Sequence, residues 1–343
     1  MYRDLISSEI IFEYVIFFLL LYSFIVYRGI KKNSFKNFNI FLYLNIGMVV
    51  SYIFTQYFQK SGDLMFFHNI SYELSESLKS GRLTFTNFLI GEGNYLDNTN
   101  NSYRWAKILT IIGLPFNNNP LIVGTLINYM ISELTQVKNR FSYFLPISFF
   151  IFCSGTQKEA FVCLGMFLII SSGKWKKLFG LILLLLVKEF YIFFALLIYF
   201  GYKIKLKYQI AAVIVCLLII GYEPVLNLLN IQYTIFTMNS TDASTWIPSM
   251  SSQFSYPESI IKSSFYALVL PFPYYFGFVW SIFIIDMVLF WRIIFRTKFQ
   301  PLLLLPIIII TMITPVFGTL VRYRAPFLTI LFLKNENKKN IRN

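Results

Sequence analysis

A single histidine, three cysteines and only 16 acidic residues in a chain of 343 leave little of the equipment on which most soluble enzymes rely. One histidine excludes a multi-histidine metal centre. Cys153, Cys163 and Cys216, odd in number and each set within an apolar stretch, give neither a disulfide framework nor a metal-ligand spacing. There is no glycine-rich phosphate loop and no Ser-His-Asp or Cys/His signature, so neither a cofactor nor a metal is expected. Charged residues make up 13% of the chain, against 57% hydrophobic and 20% aromatic. That balance excludes an ordinary water-soluble domain of this length and predicts an all-α, polytopic integral membrane protein. The net charge of +14 would suggest nucleic acid for a soluble protein, but here Lys and Arg fall in short clusters between apolar runs, so no nucleic-acid partner is expected. The first apolar run follows Glu9 and ends at Tyr27-Arg28 without a small-residue cleavage site, and reads as a signal-anchor helix.

The clusters set a topology. They are Arg28, Lys31, Lys32 and Lys36; Lys138 and Arg140; Lys174, Lys176 and Lys177; Lys203, Lys205 and Lys207; Arg292, Arg296 and Lys298; and the tail from Lys334 to Arg342. Placing all six inside gives an extracytoplasmic N-terminus, a cytoplasmic C-terminus and about 11 transmembrane or partly inserted helices in one membrane domain, 1–343. Two long segments, about 59–119 and 223–272, then lie on the extracytoplasmic face. A chain that puts its large loops on one side is expected to work there.

Arg140 and Lys174 are separated by 33 residues, fewer than the roughly 40 that two full crossings use. The hairpin at about 142–172 should therefore turn within the membrane's depth, at Ser154-Gly155-Thr156-Gln157-Lys158-Glu159. A second hairpin, about 178–202, has Lys188-Glu189 near its midpoint. Irregular or charged backbone at that depth is tolerated where protein buries it or water fills a cavity. Each Lys-Glu pair reads either as part of a cavity or as a salt bridge pinning its own turn.

Arg322 and Arg324 lie on the side where the positive-inside rule disfavours them, either to bind phosphate with their rigid forks or to reach lipid headgroups. Asp63 and His68 follow the second helix and could supply a general base or orient a sugar hydroxyl; the alternative is an N-cap aspartate followed by an interfacial histidine. Asp286, six residues before Arg292, reads as half of a structural pair. Trp246, Tyr256, Tyr274, Tyr275 and Trp280 could stack on sugars or belong to the interfacial aromatic belt.

Four segments resemble the Wzy-type repeat-unit polymerases of bacterial surface polysaccharides and related GT-C-like glycosyltransferases that use polyprenyl-linked sugars. They are the acidic motif at Asp63 and His68; Phe152-Cys-Ser154-Gly155-Thr-Gln-Lys158-Glu159-Ala160; Leu268-Val-Leu-Pro271-Phe272-Pro273-Tyr274; and Arg322-Tyr-Arg324-Ala-Pro326. At Val187-Lys188-Glu189-Phe190-Tyr191 the chain departs from the family's Arg-Pro-Tyr, keeping a cation as Lys188 and replacing the proline with Glu189. The resemblance implies a multi-pass enzyme of the bacterial inner membrane that polymerises polyprenyl-pyrophosphate-linked oligosaccharide units into O antigen or capsule on the extracytoplasmic face. A flippase and a chain-length regulator are the partners it implies. Lys158, Lys188, Arg322 and Arg324 would then bind pyrophosphate, and Glu159, Asp63 or His68 would serve the acceptor hydroxyl. Single-sugar transfer from a polyprenyl-phosphate donor and lipid-linked oligosaccharide transport are the alternatives.

Overall fold

A computed structural model describes residues 5–31, 36–58, 63–91, 101–135, 146–170, 173–201, 203–220, 278–296, 305–306, 309–310 and 321–330. Most of these residues are helical, with no strand among them. They fall into two compact units, Met1–Tyr143 with Phe149–Ile192, and Phe144–Ser148 with Phe193–Asn343.

The first unit opens with α1 (Ser8–Lys31) and α2 (Lys36–Phe58), the two described helices long and apolar enough to cross a membrane. At 1.5 Å per residue the 24 residues of α1 span about 36 Å, more than a hydrocarbon core of ~30 Å. Only Ile10 and Gly29 of α1 are buried, while Phe12, Leu20, Tyr27 and Ile30 stand well exposed. An apolar stripe of that length would be an aggregation hazard in water and is matched by lipid.

Beyond α2 the segment expected as a long outer loop is built of helices: α3 (Asp63–Lys79), α4 (Phe85–Ile90), α5 (Asn101–Gly113) and a 3-10 turn at Leu114–Phe116. α6 (Pro120–Thr135) begins with proline at its first position and Asn119 as N-cap, whose Oδ1 accepts from the N–H groups of Leu121 and Ile122. α7 (Ile147–Phe152) and α8 (Lys158–Ile170) flank a break, and α9 (Lys174–Val187) and α10 (Phe190–Gly201) flank another. α8 and α9 approach so closely that a Cβ on Gly165 would meet Leu184, and one on Gly180 would meet the Gly165 carbonyl and Leu168. Small residues at a crossing let the two backbones pack closely.

The break between α7 and α8 is held by neighbouring helices. The Gly155 N–H donates to Asn128 Oδ1 at 2.8 Å, the Thr156 N–H to Tyr52 Oη at 3.0 Å, and Gln157 Nε2 to Ser51 Oγ at 2.8 Å. Asn128 and Thr125 of α6 in turn donate to Asn45 of α2. Buried peptide groups without partners would cost a few kcal/mol each, so these buried side chains are what permits the break. Gly155 has φ +64 and lies against Met48 and Tyr52. Gly155→Ala should therefore lose at least about 1–2 kcal/mol from backbone handedness alone, before the clash is counted. A lowered unfolding midpoint in detergent checks this; an unchanged midpoint would contradict it.

Within the second unit are α11 (Leu206–Ile220), α12 (Phe278–Arg296) and α13 (321–330). Phe194 packs edge-on against Phe327, with centroids 5.0 Å apart. The segment 223–272, with Trp246 and Tyr256, and the aromatic Pro271-Phe272-Pro273-Tyr274-Tyr275 run lie outside the described residues.

Candidate functional site

The most concentrated charge chemistry of the first unit gathers at its two helix breaks. α8 and α9 run antiparallel through the Gly165 and Gly180 contact, which sets the start of α8 opposite the end of α9. Lys158-Glu159 opens α8 and Lys188-Glu189 follows α9, so both doublets come to the same end of this pair. Lys188 Nζ donates to Glu159 Oε1 at 3.3 Å, with the two side chains only 5% and 1% exposed. The pairing thus crosses from one doublet to the other. An isolated ion would be expensive here, and the pair stands because each charge answers the other. The Phe190 and Tyr191 rings lie 5.6 and 5.7 Å from the same ammonium, and Lys158 Nζ sits 4.4 Å from the Phe67 centroid. Aromatic faces attract cations, most strongly where water is excluded.

Lys188 also joins two helices through its backbone. Its N–H donates to Leu184 O at 2.8 Å and ends α9, and its carbonyl accepts from the Tyr191 N–H at 3.2 Å and begins α10. Its neighbour Glu189 turns the other way, 3.1 Å from Arg104 Nη2, and Arg104 Nη1 donates to Leu185 O at 2.9 Å. The next residue on α5, Trp105, donates through Nε1 to Thr156 O at 3.1 Å in the other break. Two consecutive residues of α5 therefore brace both breaks. No protein-family model, curated protein or solved structure matches the chain.

Arg104 is absent from the residues singled out by sequence. The signal was the one applied to Arg322 and Arg324, an arginine in a segment expected on the extracytoplasmic side. Trp105 carried no such signal; its role depends on the packing of α5 against the break.

Asp63 opens α3, and its side chain lies outside the described part of the chain. His68, 4% exposed, follows Phe67, the residue under Lys158. In the second unit Arg322 is half-buried with its guanidinium 5.7 Å from the Tyr323 ring, while Arg324 is 2% exposed. Arg324 lies 4.6 Å from the Phe283 centroid and places Nη2 2.8 Å from the Met287 sulfur. Its Nε and Nη1 have no hydrogen-bond partner among the described residues.

Asp286, expected as the partner of Arg292, accepts instead from the N–H groups of Ile147 and Ser148 at 2.7 and 3.3 Å. These are donors that the start of α7 leaves open, and a carboxylate suits them. Its charge also acts on Arg324. Among the described residues no group of three or more His, Cys, Asp or Glu side chains could hold a metal.

Proposed function

We propose that this protein is a glycan polymerase of the bacterial inner membrane. It spans the bilayer many times with a GT-C-like helical fold, N-terminus outside and C-terminus inside, and joins polyprenyl-pyrophosphate-linked oligosaccharide units at the extracytoplasmic face. The observation that carries this reading is the gathering of Lys158, Glu159, Lys188, Glu189 and Arg104 around two helix breaks at one end of α8 and α9. An apolar chain that breaks helices and buries ions at one level has built an electrostatic site there.

In the reaction, an acceptor hydroxyl oxygen attacks the anomeric carbon of the donor's first sugar. A carbon–oxygen bond forms, the bond to pyrophosphate breaks, and polyprenyl pyrophosphate departs with the electron pair. Lys158 and Lys188 are the cations that the first unit offers to pyrophosphate oxygens; Arg322 and Arg324 are those that the second unit offers. Glu159, tied to Lys188, positions that ammonium, which leaves Asp63 as the first candidate base for the hydroxyl proton and His68 as the second.

Deleting the protein from its host should abolish long polymer while complete lipid-linked repeat units persist. A missing branch sugar would assign single-sugar transfer instead, and complete units trapped on the cytoplasmic side would assign transport. Either result overturns the polymerase reading.

A further inference from the structure

α4 exposes apolar surface out of proportion to its length. Of its six residues Phe85, Leu89 and Ile90 are 57%, 52% and 61% exposed, and Phe88 is fully buried. Phe88 packs with Ile70, Leu74 and Ala106, which fixes the helix to α3 and α5. Both ends are capped: Thr84 accepts from the Asn87 N–H, and Gly91, at φ 95, donates its N–H to Asn87 O. The three side chains are therefore held outward by a well-made helix.

The depth of α4 follows from two polar links. Asn119 Nδ2 donates to Ile10 O and to Glu13 Oε2, both at 3.0 Å, which sets the start of α6 beside the first two turns of α1. Lys79 Nζ donates to Asn117 Oδ1 at 3.0 Å, bringing the end of α3 to the same level. From there the chain turns tightly, with the Leu83 N–H donating to Ser77 O, and enters α4. α1 is long and apolar enough to cross a membrane, and on that reading its first turns meet the headgroups of one leaflet.

We propose that α4 is a membrane-interface helix that inserts Phe85, Leu89 and Ile90 into the leaflet entered by the N-terminal end of α1. Lys79 and the exposed Arg82, placed just before it, suit the phosphates of that headgroup layer. The occupant is lipid because the patch lies level with the first turns of α1, whose exposed apolar surface suits lipid, and because basic residues border it on the chain. An amphipathic segment of this kind, apolar side down and cations at the rim, binds by area and by headgroup charge together.

The test uses the full chain in nanodiscs of phosphatidylethanolamine and phosphatidylglycerol. Phe85→Cys, Leu89→Cys, Ile90→Cys and, as an exposed polar reference, Glu73→Cys are made singly in a Cys216→Ala background and spin-labelled, with the unsubstituted background as the blank. Oxygen should relax the labels at 85, 89 and 90 several-fold more effectively than a water-soluble nickel chelate, with the order reversed at 73. Strong nickel relaxation at 85, 89 and 90 would overturn the proposal by placing α4 in water. Weak relaxation by both reagents would overturn it by showing protein, such as a second copy, over the patch. No outcome depends on glycan synthesis, so this result and that of the deletion strain are separable.

Discussion

Lys188→Ala should destabilise the first unit by about 3–5 kcal/mol, the usual consequence of removing one member of a buried ion pair and leaving the other charge uncompensated. Glu159 would remain as a carboxylate in a position only 1% exposed, with its ammonium gone. Glu159→Ala should cost a similar amount from the other side. The two together, as Lys188→Met with Glu159→Leu, should cost much less than the sum, because no buried charge is then left alone. A double-mutant cycle on unfolding in detergent reads this directly, and additive losses would refute the pairing. The stable double variant should still form no polymer, since restoring the packing does not restore a cation for pyrophosphate. Long polymer from that variant would remove Lys188 from the proposed reaction.

Arg324→Ala, compared at a matched level of membrane-inserted protein, should leave glycans of one repeat. Arg324 is a buried fork, with the Phe283 face on one side, the Met287 sulfur on Nη2, and Nε and Nη1 lacking a hydrogen-bond partner among the described residues. A guanidinium in that state matches an anion that accepts two parallel hydrogen bonds, as a phosphate does. Arg324→Lys keeps the charge and loses the fork, so it should give shortened chains; restoration of full length by lysine would show that charge alone suffices. Arg322→Ala, at the more exposed residue, is expected to shorten chains as well. Normal long polymer from both alanine variants, by gel analysis at matched protein level, would sink the assignment of this segment to pyrophosphate.

Much of this was legible before any coordinates. Long apolar runs separated by basic clusters read as helices, since a helix satisfies its own peptide groups in lipid. The expected charged turns coincide with interruptions of helix: α8 begins at Lys158, and α9 gives way to α10 at Lys188 and Glu189. Asp63, weighed from the sequence as a possible N-cap, is the first residue of α3. The segment 59–119 reads as a loop because its polar and apolar residues are mixed, but α3 and α5 bury one side each, and that mixture is the pattern of amphipathic helices packed on one another.

The sequence by itself determined that the molecule is helical, where two of its helix breaks fall, and which residue types stand at them. Apolar content, charge spacing and the length of chain a membrane demands are enough for that. Only the tertiary structure decided the partners. Adjacent residues such as Lys158 and Glu159 cannot face one another, because successive side chains on a helix leave the axis about 100° apart. Lys188 therefore reaches Glu159 across the close crossing of α8 and α9, and Glu189 turns to Arg104 on α5. That crossing depends on two glycines fifteen positions apart, Gly165 and Gly180, whose nearness no local pattern in the sequence records.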